Sequence, residues 1–306
     1  MVGRLFVIGF IVLSSVFSCR SSVRKTGEFV FPAVDSIPVS ETEKLSDEAI
    51  ADISKNMSSP VEIANILQRM SVPFSTGYLA SSMIDASRLS TNFAKALKLG
   101  ILGADLGYLN MYEKTGTEID VLSSIKKLAE GLNVGQFFDF VAIKRLSLNR
   151  SNLDSLLFLS QNSYNQIDKY LRDKKRGQQS ALMITGVWIE GQYLATQVIK
   201  QYPVDTLLRN RIGEQKIILN DLIMLLSPYC NSSTEFTSLC KDMQELKEKY
   251  KEIIVRYTAG EPIMEEKDGA LVVKQTEESK VEMTDEQLSS IIVICSNIRN
   301  KLISGN

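Results

Sequence analysis

The chain has 306 residues, 44% of them hydrophobic, with a net charge of −1, seven prolines and no histidine. Lack of histidine excludes Ser-His-Asp and Cys-His nucleophiles, HExxH zinc sites, facial-triad iron and Glu-x-x-His di-iron centres. The near-neutral charge gives no electrostatic basis for a nucleic-acid partner, and average usage would place about 15 prolines here, so a loop-rich all-β or Pro-rich disordered chain is disfavoured.

Arg4 precedes an apolar run from Leu5 to Phe17. The run is too short to span a membrane comfortably and has the form of a secretory signal. It ends in Val16-Phe17-Ser18-Cys19. An aliphatic residue, a free position, a small residue and a cysteine resemble a bacterial lipobox, although Phe17 is bulkier than the residue usual there. That resemblance implies removal of residues 1–18 and lipidation of Cys19; the alternative is ordinary cleavage after Ser18 with Cys19 left free. Several acyl chains on Cys19 would make a stable anchor. Residues 19–45, rich in Ser, Thr, Val and Pro and without helical periodicity, read as a flexible tether with an r.m.s. reach of roughly 25–30 Å. Removing residues 1–18 takes away only Arg4 among the charged side chains and leaves a net charge of −2. The expected membrane contact is therefore the lipid at Cys19 and not a charged surface.

Residues 46–306 read as one helical domain. Ser59-Pro60-Val61-Glu62 has the form of a capping box with proline at the first helical position. No proline occurs between Pro73 and Pro203. Helices are predicted near 76–113 (interrupted around 87–91), 117–131, 135–148, 151–173, 177–201, 204–227 and 233–257. In the last of these Phe236, Leu239, Met243, Leu246, Tyr250 and Ile254 make a buried stripe. One β-hairpin is expected near residues 262–275, Ile263–Lys267 and Ala270–Gln275 flanking an Asp268-Gly269 turn. Thr284-x-x-Gln287 resembles a second capping box, followed by an apolar face of Leu288, Ile291, Ile292, Cys295, Ile298 and Leu302. Cys230 and Cys240 flank a polar turn, and an exported compartment permits a bridge that spacing alone does not show. Cys295 reads as a buried thiol.

Residues 96–122 align without gaps to 181–207, an offset of 85. Asp105 meets Glu190, Tyr108-Leu109 meets Tyr193-Leu194, and Ile119-Asp120-Val121-Leu122 meets Val204-Asp205-Thr206-Leu207. This suggests two pseudo-repeated helical units, about 76–150 and 151–230, packed into one all-α multi-helix bundle. The repeated helices carry Gly100, Gly103 and Gly107, then Gly186 and Gly191. Glycine in a helix costs about 1 kcal/mol relative to alanine, which points to close helix–helix approach, with Trp188 as the large partner.

Gly103-Ala104-Asp105-Leu106-Gly107-Tyr108-Leu109 and Gly186-Val187-Trp188-Ile189-Glu190-Gly191-Gln192-Tyr193-Leu194-Ala195 resemble segments of helical lipoproteins of Bacteroidota-type bacteria, a family with no assigned activity. The resemblance covers about residues 80–230 and implies an all-helical fold in the cell envelope, with no catalytic residues to carry over. In such bacteria acidic residues just after the lipidated cysteine favour the cell surface. Here Arg20-Ser21-Ser22-Val23-Arg24-Lys25 follows instead, which implies an outer-membrane anchor facing the periplasm.

The expected function is a non-enzymatic interaction or scaffold lipoprotein, with the membrane and envelope proteins as partners. The alternative is a small-molecule binder or acid/base hydrolase using Asp105 and Glu190, with Tyr108 and Tyr193 beside them; paired carboxylates in different surroundings can divide acid and base roles. No phosphate-binding loop or other cofactor motif is present. Gly131-Leu132-Asn133-Val134-Gly135 reads as a helix end and turn, and the basic run Lys169–Arg176 as a solvated helix end.

Overall fold

The computed structural model describes residues 73–112, 114–147, 153–203, 205–259, 263–267, 270–274 and 277–305, together with Phe29–Val30. The Ser59 capping box, Cys19 and most of the expected tether lie outside them. Within that tether, Phe29–Val30 forms β1 and pairs antiparallel with Tyr257 and Arg256.

Eight helices make up most of the described residues: α1 (Asn92–Met111), α2 (Thr115–Gly131), α3 (Phe140–Ser147), α4 (Leu153–Asp173), α5 (Gly177–Gln201), α6 (Thr206–Leu226), α7 (Thr234–Tyr250) and α8 (Asp285–Ser304). Local signals set several ends. Thr91, Asp205 and Ser233 each accept an amide of the first turn with their side chains, and Thr284 and Gln287 form the reciprocal capping box. After α2, Asn133 takes a left-handed backbone at φ 54°, a conformation Asn tolerates better than most residues.

The helix expected from residue 76 begins only at Asn92. Residues 76–91 instead form a 3-10 turn at Thr76–Tyr78 and a run of turns, including one in which Asp85 accepts from the Ser87 amide and hydroxyl. The helix expected over 233–257 stops at Tyr250, because Ile254–Ala259 becomes strand β2. The hairpin appears as β3 (Ile263–Lys267) and β4 (Ala270–Lys274), paired from Ile263↔Lys274 to Lys267↔Ala270. Outside it, β2 pairs antiparallel with β5 (Glu277–Glu282) to make a second sheet, ordered β1-β2-β5. The molecule is therefore mostly helical, as expected, with a small second sheet beside the expected hairpin. That sheet docks on α6, where Val281 fills the space over Gly213 and Ser279 donates to Glu214.

Helix α5 is the hub, packing against α1, α4, α6 and α8. Seventeen of its 25 residues are buried, so it is enclosed on nearly all sides, as a helix apolar around most of its circumference must be. Several of its buried polar side chains are paired: Ser180 donates to Asp168, Thr185 to the Ala181 carbonyl, and Trp188 Nε1 on the same helix donates to Gln215 Oε1 at 3.0 Å. In the basic run, Asp168 on α4 receives Arg172, and Arg176 donates to the Leu132 carbonyl at 2.7 Å. These two arginines are tied to the body rather than solvated.

Helices α1 and α5 run parallel and cross at two glycines. A Cβ on Gly100 would overlap the Met183 carbonyl and lie 2.8 Å from the Val187 amide nitrogen; a Cβ on Gly186 would overlap the Leu97 carbonyl and lie 3.0 Å from the Ile101 amide nitrogen. The contact is reciprocal, backbone against backbone.

Cys230 and Cys240 are bridged, with Cα atoms 5.7 Å apart. The bridge ties the end of α6 to α7 across a short loop. Closing a loop of this length is worth about 3 kcal/mol on the chain-entropy model. Denaturant unfolding of the Cys230→Ser/Cys240→Ser variant should show a loss of about 2–3 kcal/mol. Cys295 is a buried free thiol, pushed up to about 12 by burial and therefore inert.

Candidate functional site

Because α1 and α5 run parallel, the crossing carries Asp105 and Tyr108 on α1 to the same level as Glu190 and Tyr193 on α5. Helix α8 brings Arg299 against Glu190 and Tyr193. Asp105 and Glu190 are 0% exposed and Arg299 is 2% exposed.

Arg299 grips Glu190 with both prongs: Nε donates to Oε2 at 3.0 Å and Nη2 to Oε1 at 2.9 Å. This fork geometry is the strong form of the arginine–carboxylate pair. The guanidinium carbon lies 4.2 Å from the centroid of the Tyr193 ring, a favourable cation–π position. Nη2 also donates to the Tyr78 carbonyl at 3.0 Å.

Among the described residues no cation is ion-paired with Asp105. Its Oδ2 accepts the Ser81 amide at 2.7 Å, while no ordinary donor reaches Oδ1. Glu190 is its charged neighbour. Burial, then the charge on Glu190, hold the Asp105 carboxyl well above its ordinary range. Burial raises Glu190 too, but Arg299 opposes the rise. Arg299 and Glu190 form a charge-balanced pair, which is what a dry site tolerates.

Tyr108 is fully buried, and its hydroxyl accepts the Ser75 amide at 3.0 Å. Its ring lies 5.5 Å from Phe74 and 4.9 Å from Tyr112. Burial raises Tyr78, Tyr108 and Tyr193 above the usual phenol value and pushes Tyr112 up to about 12. The ring of tyrosines stays neutral across the range in which carboxyls titrate.

The other predicted residues divide. Gly100 and Gly186 sit at the crossing. Gly103 faces the hydroxyl end of Tyr164 on α4 instead. Gly107 has nothing within 4 Å of a would-be Cβ, so the close approach expected there is absent. Gly191 is buried in α5. Trp188 points to α6 through Gln215.

Sequence reasoning missed Arg299, Ser81 and the Tyr78 carbonyl. A signal for Arg299 exists: it stands four residues after Cys295 and eight after Ile291, a charged residue on an otherwise apolar stripe. Ser81 and Tyr78 contribute backbone groups, which no side-chain pattern reveals.

Two carboxyls held at different protonation are equipped for acid/base work. Here neither touches solvent, and Arg299 and the backbone of residues 78–81 already occupy their remaining faces. What the arrangement does chemically is fasten α1, α5, α8 and the segment before α1 to one neutral polar centre. Among the described residues no group of three or more His, Cys, Asp or Glu side chains is placed to hold a metal ion, and no helix is long and apolar enough to cross a membrane. Comparison of the chain with protein-family models, curated proteins and solved structures gives no match.

Proposed function

We propose that this is a lipid-anchored envelope protein that works by binding other envelope components rather than by catalysis. The observation that supports it best is the sealing of Asp105 and Glu190. The one pair of side chains singled out for chemistry is consumed in holding helices together, which favours the scaffold reading over the hydrolase reading. The Cys230–Cys240 bridge fits an oxidising compartment outside the cytoplasm. The lipobox-like Val16-Phe17-Ser18-Cys19 supplies the anchor, and the basic residues that follow favour the periplasmic face of the outer membrane.

The same reading includes an internal duplication. The reciprocal glycine crossing relates residues 97, 100 and 101 to 183, 186 and 187, an offset of 86. That is one residue from the offset of 85 in the sequence alignment, which is support for two related helical units that meet at α1 and α5.

Metabolic labelling with an alkyne fatty acid should tag the wild-type protein and leave Cys19→Ala unlabelled and released from membranes. A Cys19→Ala variant that stays membrane-bound would remove the anchor from the proposal. Affinity capture from detergent-solubilised envelope should return the same protein partner in independent repeats, absent with an unrelated lipoprotein as bait. Failure to do so would defeat the scaffold reading.

A further inference from the structure

Strand β2 is paired along its whole length by β5, from Ile254↔Glu282 to Ala259↔Glu277. On its other side, among the described residues, β1 covers the two central positions, Phe29 opposite Tyr257 and Val30 opposite Arg256. The edge of a sheet presents backbone donors and acceptors that favour capture of an extended segment. The segment captured here comes from the region expected to be a free tether.

The register also fixes a direction. The Ile254–Glu282 end of the sheet adjoins the helices, since β2 follows closely on α7 and β5 leads into α8. Antiparallel pairing turns the Phe29 end of β1 toward Thr258 and Ala259, and the Val30 end back toward the helices. The side of the chain that leads to Cys19 therefore leaves β1 at the end of the sheet remote from α7 and α8.

We propose that β1 is a clip that shortens the membrane leash to the stretch between Cys19 and Phe29, so that the body hangs from the remote end of its second sheet, close to the lipid surface. This rests on the reading of Cys19 as the lipidated residue. From Cys19 to Phe29 is ten residues, which span at most about 36 Å and have a flexible r.m.s. reach of roughly 17 Å. Unclipped, the leash would run from Cys19 to Pro73, 54 residues, with an r.m.s. reach of roughly 40 Å and an extended length of about 190 Å. Clipped, the body engages envelope components that lie near the anchoring membrane and not those across the compartment.

Energy transfer from a dye on the body to rhodamine-labelled lipid tests this, with the lipidated full chain in phosphatidylethanolamine/phosphatidylglycerol vesicles. Glu252→Cys carries the dye at an exposed site just before β2, and Cys295 is buried. A flexible Gly/Ser insert of about 40 residues after Ser22 should lengthen the leash from roughly 17 to roughly 39 Å r.m.s. and lower the transfer. The same insert after Ser40 should leave the transfer unchanged. In Phe29→Pro/Val30→Pro, which lacks both strand amides, the two inserts should act alike. Equal effects of the two inserts with the native strand would overturn the proposal and leave the anchor standing. No transfer in any chain would overturn the anchor at Cys19, and the proposal with it. The pairing is checked apart from the membrane in the Cys19→Ala chain. Antiparallel positions alternate between hydrogen-bonded pairs and closer non-hydrogen-bonded ones, so a disulfide should form in Phe29→Cys/Tyr257→Cys or in Val30→Cys/Arg256→Cys. A bridge in neither would overturn the proposal.

Discussion

Arg299→Leu is expected to lower the free energy of unfolding by about 3–5 kcal/mol, the usual effect of removing one member of a buried ion pair. Among the described residues, Arg299 brings the only charge that balances Glu190 in a site that excludes water. Its removal strands a carboxylate beside a second carboxyl, and both must then be neutral. It also cuts the tie to the Tyr78 carbonyl and the face-on contact with Tyr193. Arg299→Lys should recover only part of the loss, since an ammonium cannot make the two-pronged contact or lie flat on the ring. Arg299→Leu/Glu190→Leu should be more stable than Arg299→Leu alone, because the stranded acid goes with it. Urea unfolding of the four proteins checks this. Equal losses for Arg299→Leu and the double variant would show that the ion pair carries no special share of the stability.

The second large effect is at the helix crossing. In an ordinary exposed helix Gly→Ala gains about 1 kcal/mol. At Gly100 and Gly186 the added methyl meets the opposite backbone, which cannot rotate away as a side chain can. Overpacking of this kind costs about 1–3 kcal/mol and sometimes more. A direct clash with main chain belongs at the upper end, so each single variant should lose about 2 kcal/mol or more net of the propensity gain. The pair should be sub-additive, since either methyl already forces α1 and α5 apart. Gly107→Ala is the internal control. Nothing lies within 4 Å of its Cβ position, so it should be neutral or stabilising by up to about 1 kcal/mol. Thermal or chemical unfolding of the set separates crossing glycines from the one that merely sits in the helix.

These two sites show how differently the fold and the centre could be read in advance. Helix α5 was legible from end to end, because a long apolar run without proline has one stable local solution. The last helix was legible from its capping box, whose two hydrogen bonds are closed within four residues. The end of α7 was not. Helical spacing continues through Ile254, yet β-branched residues cluster at Ile253-Ile254-Val255, and pairing with β5 takes Ile254 and Val255 into the sheet. Residues 76–91 failed for a related reason: their partners are distant side chains, Asp105 and Arg299, and no local pattern states that.

By itself the sequence determined that no histidine chemistry is available, that the body is mostly helical, and that Asp105 and Glu190 lie in two glycine-bearing helices. Composition and periodicity suffice for these, because they depend on residue type and short-range spacing. Only the tertiary structure decided that the two acids meet in one buried centre, that Arg299 from a helix more than a hundred residues away pairs with Glu190, and that the backbone of residues 78–81 covers them. Those outcomes depend on which surfaces meet and on the loss of solvent where they meet.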